Sequence, residues 1–304
     1  MKSIAMFVLA TLMNGAGCVS SALVHSKTIS ADEVIRNIQN NKAVAYTFCT
    51  IEGNLDFTKI QGFPSSGTTD ISSIDIPLYF ESCTFTGKVS AFKNDNKRIN
   101  TCRFNNSISF NNCYFKDEAD FNGADFSQVL LLTKSIFDKP ASFQACLFEN
   151  DVRIDETFFS NNLLMQESVI RGNFWAKQAT IYGQLSLQQS DFWQNASLAA
   201  ISVHKYADLG LANFRRAAFF EYGEYFNKVN FNGAVFSGRA EWNKTKFHQS
   251  VDFSNATFLS KPVFSNIELS GELIRDNIKY INGSADSNQL KKLMPAYIQD
   301  KPVP

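Results

Sequence analysis

The chain is poor in the residues that most often carry chemistry. Three histidines in 304 residues leave little for a metal centre, which needs three or four convergent ligands. There is no Cys-x-x-Cys pair, no phosphate-cradling Gly-rich loop and no Ser-His-Asp order. Glycine (15) and proline (7) are too scarce for collagen or a low-complexity chain. Net charge is absent too: 29 Lys+Arg balance 29 Asp+Glu. That excludes a basic nucleic-acid binder, and it argues against a dense acidic imitation of a phosphate backbone. With 19% charged and 44% hydrophobic residues the chain is not disordered either. What it has in excess is phenylalanine, 29 in all.

The N-terminal segment reads as an export signal. Lys2 supplies a charged start, and the apolar run from Ile4 to Met13 is too short to span a bilayer. Gly15-Ala16-Gly17-Cys18 then resembles the lipobox of bacterial lipoproteins, although Gly15 stands where that family prefers an aliphatic residue. The resemblance implies a diacylated Cys18 as mature N-terminus, with Val19 compatible with the outer membrane. Cleavage after Gly17 or Ala22 without lipidation is the alternative, giving a soluble periplasmic or secreted protein. After the signal, Ser30 and Glu33 form a capping box, and Val34, Ile35 and Ile38 supply one apolar stripe, so a short helix is predicted there.

From Ile99 to Leu269 large apolar residues recur at alternating steps of five and six. One series runs Ile99, Phe110, Phe121, Leu132, Phe143 and onward to Phe264; the other runs Phe104, Phe115, Phe126, Phe137, Phe148 and onward to Leu269. Of these 32 positions only Ala176 is not large, and two residues before the second series 14 of 16 positions are Ala, Ser, Cys, Thr or Gly. Residues two apart in an extended chain share a side, so each large anchor sits beside a small partner, as in a narrow tube filled by side chains. No helix of 3.6 residues per turn keeps this series on one face, but short strands separated by corners do.

Segments such as Phe121-Asn-Gly-Ala-Asp-Phe126 and Phe231-Asn-Gly-Ala-Val-Phe236 resemble the pentapeptide-repeat family, in a Phe-rich form with a sixth residue in alternate repeats. The resemblance is strong over 99–269 and weaker over 49–92, through Ile51, Phe57, Phe80 and Phe85. It implies an all-β fold, a right-handed quadrilateral parallel β-helix with short capping helices. Each coil of that helix takes two of the five-plus-six periods, one step per side. The regular part makes nearly eight coils, a rod of roughly 37 Å at about 4.8 Å per coil. A flatter tube is the alternative, because the sixth residue leaves the corners open. The expected domains are a signal peptide (1–17), a linker with a capping helix (18–48), the β-helix (49–274, irregular over 58–98 and regular over 99–269) and a C-terminal cap and tail (275–304). A helix over Ser287–Met294 is expected at that far end, and Gly62–Ser73 and Lys93–Arg98 are expected as loops.

No catalytic, cofactor or metal residues are assigned. His204 and His248 lie in one outward column two coils apart, about 9.6 Å, too far to share a metal. Cys49, Cys83, Cys102, Cys113 and Cys146 occupy small inward slots, and a Cys83 disulfide to Cys102 or Cys113 competes with a role as buried hydrophobes. Outward positions one coil apart give apolar ladders: Tyr114, Ile136 and Phe158; Leu147 and Val169; and, on a third face, Leu131 and Trp175. These suggest an interface with a second copy or with an envelope protein, which Ile136→Lys should disrupt. The expected function is a non-enzymatic envelope scaffold on a membrane lipid anchor, without cofactors or nucleic acid. A topoisomerase-binding DNA mimic is the first alternative, needing an acidic column that Asp120, Ser142, Leu164, Ser186, Asp208, Asn230 and Asp252 do not make. An exported enzyme with a site within 58–98 is the second.

Overall fold

Each repeat unit folds as a short strand, a tight corner, a second strand and an open corner. In the computed structural model, which describes residues 27–60, 62–64, 68–95 and 98–280, two such units close one turn. About 11 turns stack as a β-solenoid. The parallel strands form four sheets of 9 to 12 strands each. One turn shows the plan: Asp125–Phe126 lies on face 1, Leu130–Leu131 on face 2, Ile136–Phe137 on face 3 and Ala141–Ser142 on face 4. Leu147–Phe148 then re-enters face 1, in register with Asp125–Phe126 one coil earlier. Faces 1 and 3 are therefore opposite one another, as are faces 2 and 4. At about 4.8 Å per turn the rod is on the order of 50 Å long, longer than the regular repeat alone suggests.

The alternating steps are explained by two kinds of corner. The five-residue step takes a tight turn: the Ala124 N–H donates to the Phe121 carbonyl at 3.1 Å, with Gly123 at φ +65°, as type II turns require at their third residue. Positive φ recurs once in every repeat unit from Asn112 to Asn277, yet only Gly123 and Gly233 are glycines. Left-handed backbone costs other residues about 1–2 kcal/mol. The next coil offsets this by taking up the strained N–H groups. Those of Lys134, Glu156 and Gln178 donate to the carbonyls of Asp155, Lys177 and Ala199 at 3.0, 2.8 and 3.0 Å. The sixth residue falls at the open corner. There Asp151 Oδ1 accepts from the Asn173 N–H at 2.7 Å, and Asn162 Oδ1 from the Gln184 N–H at 2.9 Å.

Inside, the large anchors stack. On face 3, Phe85, Phe115, Phe137 and Phe159 lie ring over ring at 4.7, 4.2 and 4.9 Å, tilted by 12° or less. The small partners are not mere spacers. Ser135, Thr157, Ser168 and Ser190 donate hydroxyl hydrogen bonds of 2.6–2.7 Å to the carbonyls of Phe110, Leu132, Phe143 and Met165. Burying a hydroxyl is tolerable only with such a partner. Among the described residues three inward groups lack one: the Tyr225 hydroxyl, the Trp242 indole N–H and, at the far end, the Tyr280 hydroxyl.

The first coil is closed by the helix Ala31–Gln39, whose N-cap Ser30 accepts from the Glu33 N–H at 3.1 Å. Its Ala31, Val34, Ile35 and Ile38 are buried in the common core. The signal segment with Cys18 and the expected helix Ser287–Met294 lie outside the described residues.

Three expectations are corrected. Ile99 is not an anchor: it is 36% exposed. It lies five residues before Phe104 in one uninterrupted strand, Ile99–Phe104, and without a corner an odd separation puts the two side chains on opposite faces. Gly62–Ser73 is not a plain loop. Gly62–Pro64 pairs antiparallel with Thr69–Ile74, which is a full member of face 1. Within the Lys93–Arg98 run, Phe92–Asn94 likewise folds back antiparallel on Ile99–Thr101. The register also outlasts Leu269: Lys279–Tyr280 still pairs with Thr257–Phe258.

Candidate interaction surface

The lumen is packed from Ile51 to Phe264 with large anchors and small partners, and the candidate groups lie on the outside. The apolar ladders do stack as the coil spacing implies. Tyr114, Ile136 and Phe158 are successive partners on face 3, Leu147 and Val169 on face 1, and Leu131 and Trp175 flank Arg153 on face 2. They do not form one patch. The Tyr114 and Leu147 ladders lie on faces 3 and 1, opposite faces of the rod, and all seven side chains are half-buried. Some are further engaged: the Tyr114 hydroxyl donates to the Asp138 carboxylate, and the Lys177 ammonium sits 5.0 Å over the Trp175 ring. Burial, seconded by Asp138, pushes the Tyr114 phenol up to about 12.

More exposed aromatic surface lies at the open corners, in columns formed by the residue just after each second-series anchor. Between faces 3 and 4, Tyr182, His204, Phe226 and His248 stack in line, with centroids 4.1, 4.5 and 4.8 Å apart and planes within 12°. Tyr182 is 46% and Phe226 36% exposed. His248 Nε2 lies 3.0 Å from Glu224 Oε1. The two histidines thus share a column, as expected, but Phe226 separates them. On the diagonally opposite edge, between faces 1 and 2, Trp193 is held between the guanidinium groups of Arg171 (5.5 Å) and Arg215 (4.4 Å). Asp191 accepts from Arg215 at 2.8 and 2.7 Å and from the Trp193 indole N–H at 2.9 Å. Burial alone would raise the Asp191 carboxyl; these donors overcome it and hold the group below the ordinary carboxylate range.

These ridges escape a reading that follows only strand positions. They are found by aligning, coil by coil, the outward residue one after Phe159, Ile170, Ile181, Phe192, Val203, Phe214, Tyr225 and Phe247. Ring planes stacked along the rod leave edges, not faces, toward solvent, so the first ridge offers C–H edges, imidazole nitrogens and a phenol, and the second an indole edge between two guanidinium groups. His204 and Phe226 each lie between two stacked rings and Trp193 between two guanidinium groups, so little side-chain entropy remains to be lost there on binding.

The irregular region 58–98 holds the exposed Arg98–Asp70 ion pair and the buried Ser72, whose hydroxyl donates to the Ile60 carbonyl at 2.7 Å. Among the described residues no three His, Cys, Asp or Glu side chains are grouped to hold a metal, and no helix is long and apolar enough to cross a membrane. Asp120, Ser142, Leu164, Ser186, Asp208, Asn230 and Asp252 do form one outward column, on face 4, but its chemistry is mixed. The fold defines the chain as a β-solenoid. No family model, curated protein or solved structure matches it.

Proposed function

We propose that this protein is a non-enzymatic interaction scaffold of the bacterial cell envelope, a divergent member of the pentapeptide-repeat family. In this reading a lipid on Cys18 tethers it to the outer membrane, facing the periplasm, and the rod presents partners with its two corner ridges. The observation that carries the reading is the pair of ordered, exposed ridges, Tyr182–His204–Phe226–His248 and Arg171–Trp193–Arg215. Tyr, Trp and Arg are the residues that dominate protein–protein binding energy when they are central and pre-ordered. A packed lumen leaves recognition to the outer surface, and recognition by rigid corners is what a solenoid offers.

Metabolic fatty-acid labelling and fractionation of the native protein beside a Cys18→Ser variant test the envelope half of the proposal. Label and membrane association in the native chain, both lost in the variant, are expected. An unlabelled protein in the cytoplasmic fraction would overturn it.

A further inference from the structure

The five described thiols are not equivalent. On face 3 the register pairs Thr50 with Thr84 and Thr84 with Tyr114, so the preceding residues, Cys49, Cys83 and Cys113, stack in three successive coils. All three are buried in the inner wall, at 7%, 1% and 1% exposure. In-register neighbours in a parallel sheet stand about 4.8 Å apart, inside the 4.4–6.8 Å Cα window of a disulfide. Cys102 and Cys146 share face 1 instead, separated by the coil of Ala124, about 9.6 Å apart and out of range. Further along face 3 the same slot is filled by Ser135 and Thr157, which serve the hydrogen-bonding role equally well. Packing therefore does not require cysteine there.

The column also falls where the chain is least constrained. The coil between Cys49 and Cys83 and the one between Cys83 and Cys113 are both longer than the regular coil, because they carry the two antiparallel hairpins. A cross-link closing a long loop removes the most freedom from the unfolded chain.

We propose that Cys83 and Cys113 are a dithiol/disulfide site that staples the coil bearing the second hairpin, Phe92–Thr101, with Cys49 as the alternative partner of Cys83. The oxidant is a low-molecular-weight disulfide. The Cys83 thiolate attacks one of its sulfurs and expels a thiolate. The Cys113 thiolate then attacks the Cys83 sulfur of the mixed disulfide and expels the second. Two protein thiols are oxidised to one S–S bond, and one reagent disulfide is reduced to two thiols. The pair is polarised in the right sense: its hydrogen bond with Cys113 holds the Cys83 thiol down at about 7, whereas Cys113 itself is pushed far up. The chemistry is independent of the scaffold reading and of where the protein resides.

The test uses the full chain carrying Cys18→Ser, incubated in its native fold with cystamine, then quenched with N-ethylmaleimide in denaturant so that buried thiols are alkylated, and digested without reduction for mass spectrometry. The expected result is loss of two of the five remaining thiols, a Cys83–Cys113 cross-linked peptide, and alkylated Cys49, Cys102 and Cys146. In a Cys113→Ser variant the cross-link should move to Cys49–Cys83, and Cys102→Ser should change nothing. Five thiols still reduced after native incubation with cystamine, or a cross-link through Cys102 or Cys146, would overturn the proposal.

Discussion

The two coils between Cys49 and Cys113 and the later ones solve the same packing problem with different precision. From Cys113 onward the coils repeat the same two-unit plan, and on face 3 the anchors Phe115, Phe137, Phe159 and Ile181 lie one over the next. Between Cys49 and Cys113 the coils are longer by whole hairpins, yet Ile51, Leu55, Phe57, Phe80 and Phe85 reach the same core. The lumen therefore tolerates insertions as long as they leave at the side and return in register. What a solenoid cannot vary is the inner wall, because each coil buries its anchors only against its neighbours.

Breaking the inner wall in the regular part should have the largest effect. Phe137→Ala removes a ring stacked on Phe115 and Phe159 and should cost about 3–5 kcal/mol, read by denaturant unfolding. Ile99→Ala, at a position with the same spacing but an exposed side chain, should stay within about 0.5 kcal/mol. Gly172→Ala comes next. An added Cβ would lie 2.2 Å from the Asn150 carbonyl carbon and 2.4 Å from the Asp151 nitrogen, and the backbone shift should cost about 1–3 kcal/mol.

The cap and the lumen's polar ends sharpen the comparison at a smaller scale. Ser30→Ala removes the helix N-cap and should cost about 1 kcal/mol, with faster hydrogen exchange confined to the first coils. Tyr225→Phe deletes an unpartnered buried hydroxyl and should be neutral or stabilising by about 1 kcal/mol. The smallest effect is alkaline. The Tyr114 phenol sits at about 12 in the fold against about 10 unfolded. Its contribution is complete below pH 10 and fades as pH rises toward 12. Tyr114→Phe should flatten that part of the stability–pH profile.

The architecture was legible because a 5,6 period has few physical solutions, and the small partner beside each Phe pointed to a filled tube. The tight corners were not legible. Left-handed backbone at Lys134, Glu156 or Tyr222 has no residue signature when the next coil's carbonyl supplies the compensation. Ile99 misled because spacing alone does not reveal whether a corner lies between two anchors. The outward columns were readable at strand positions, which placed Tyr114, Ile136 and Phe158 correctly on one face. The ridges lie one residue beyond the anchors, at the open corners.

The central claim is that the ridges, rather than the strand ladders, meet the partner. A photo-cross-linking amino acid placed in living cells at Phe226, and in a parallel strain at Ile136, tests it directly. A discrete adduct from position 226 and none from position 136 is the expected result; an adduct only from position 136, or from neither, would contradict the account.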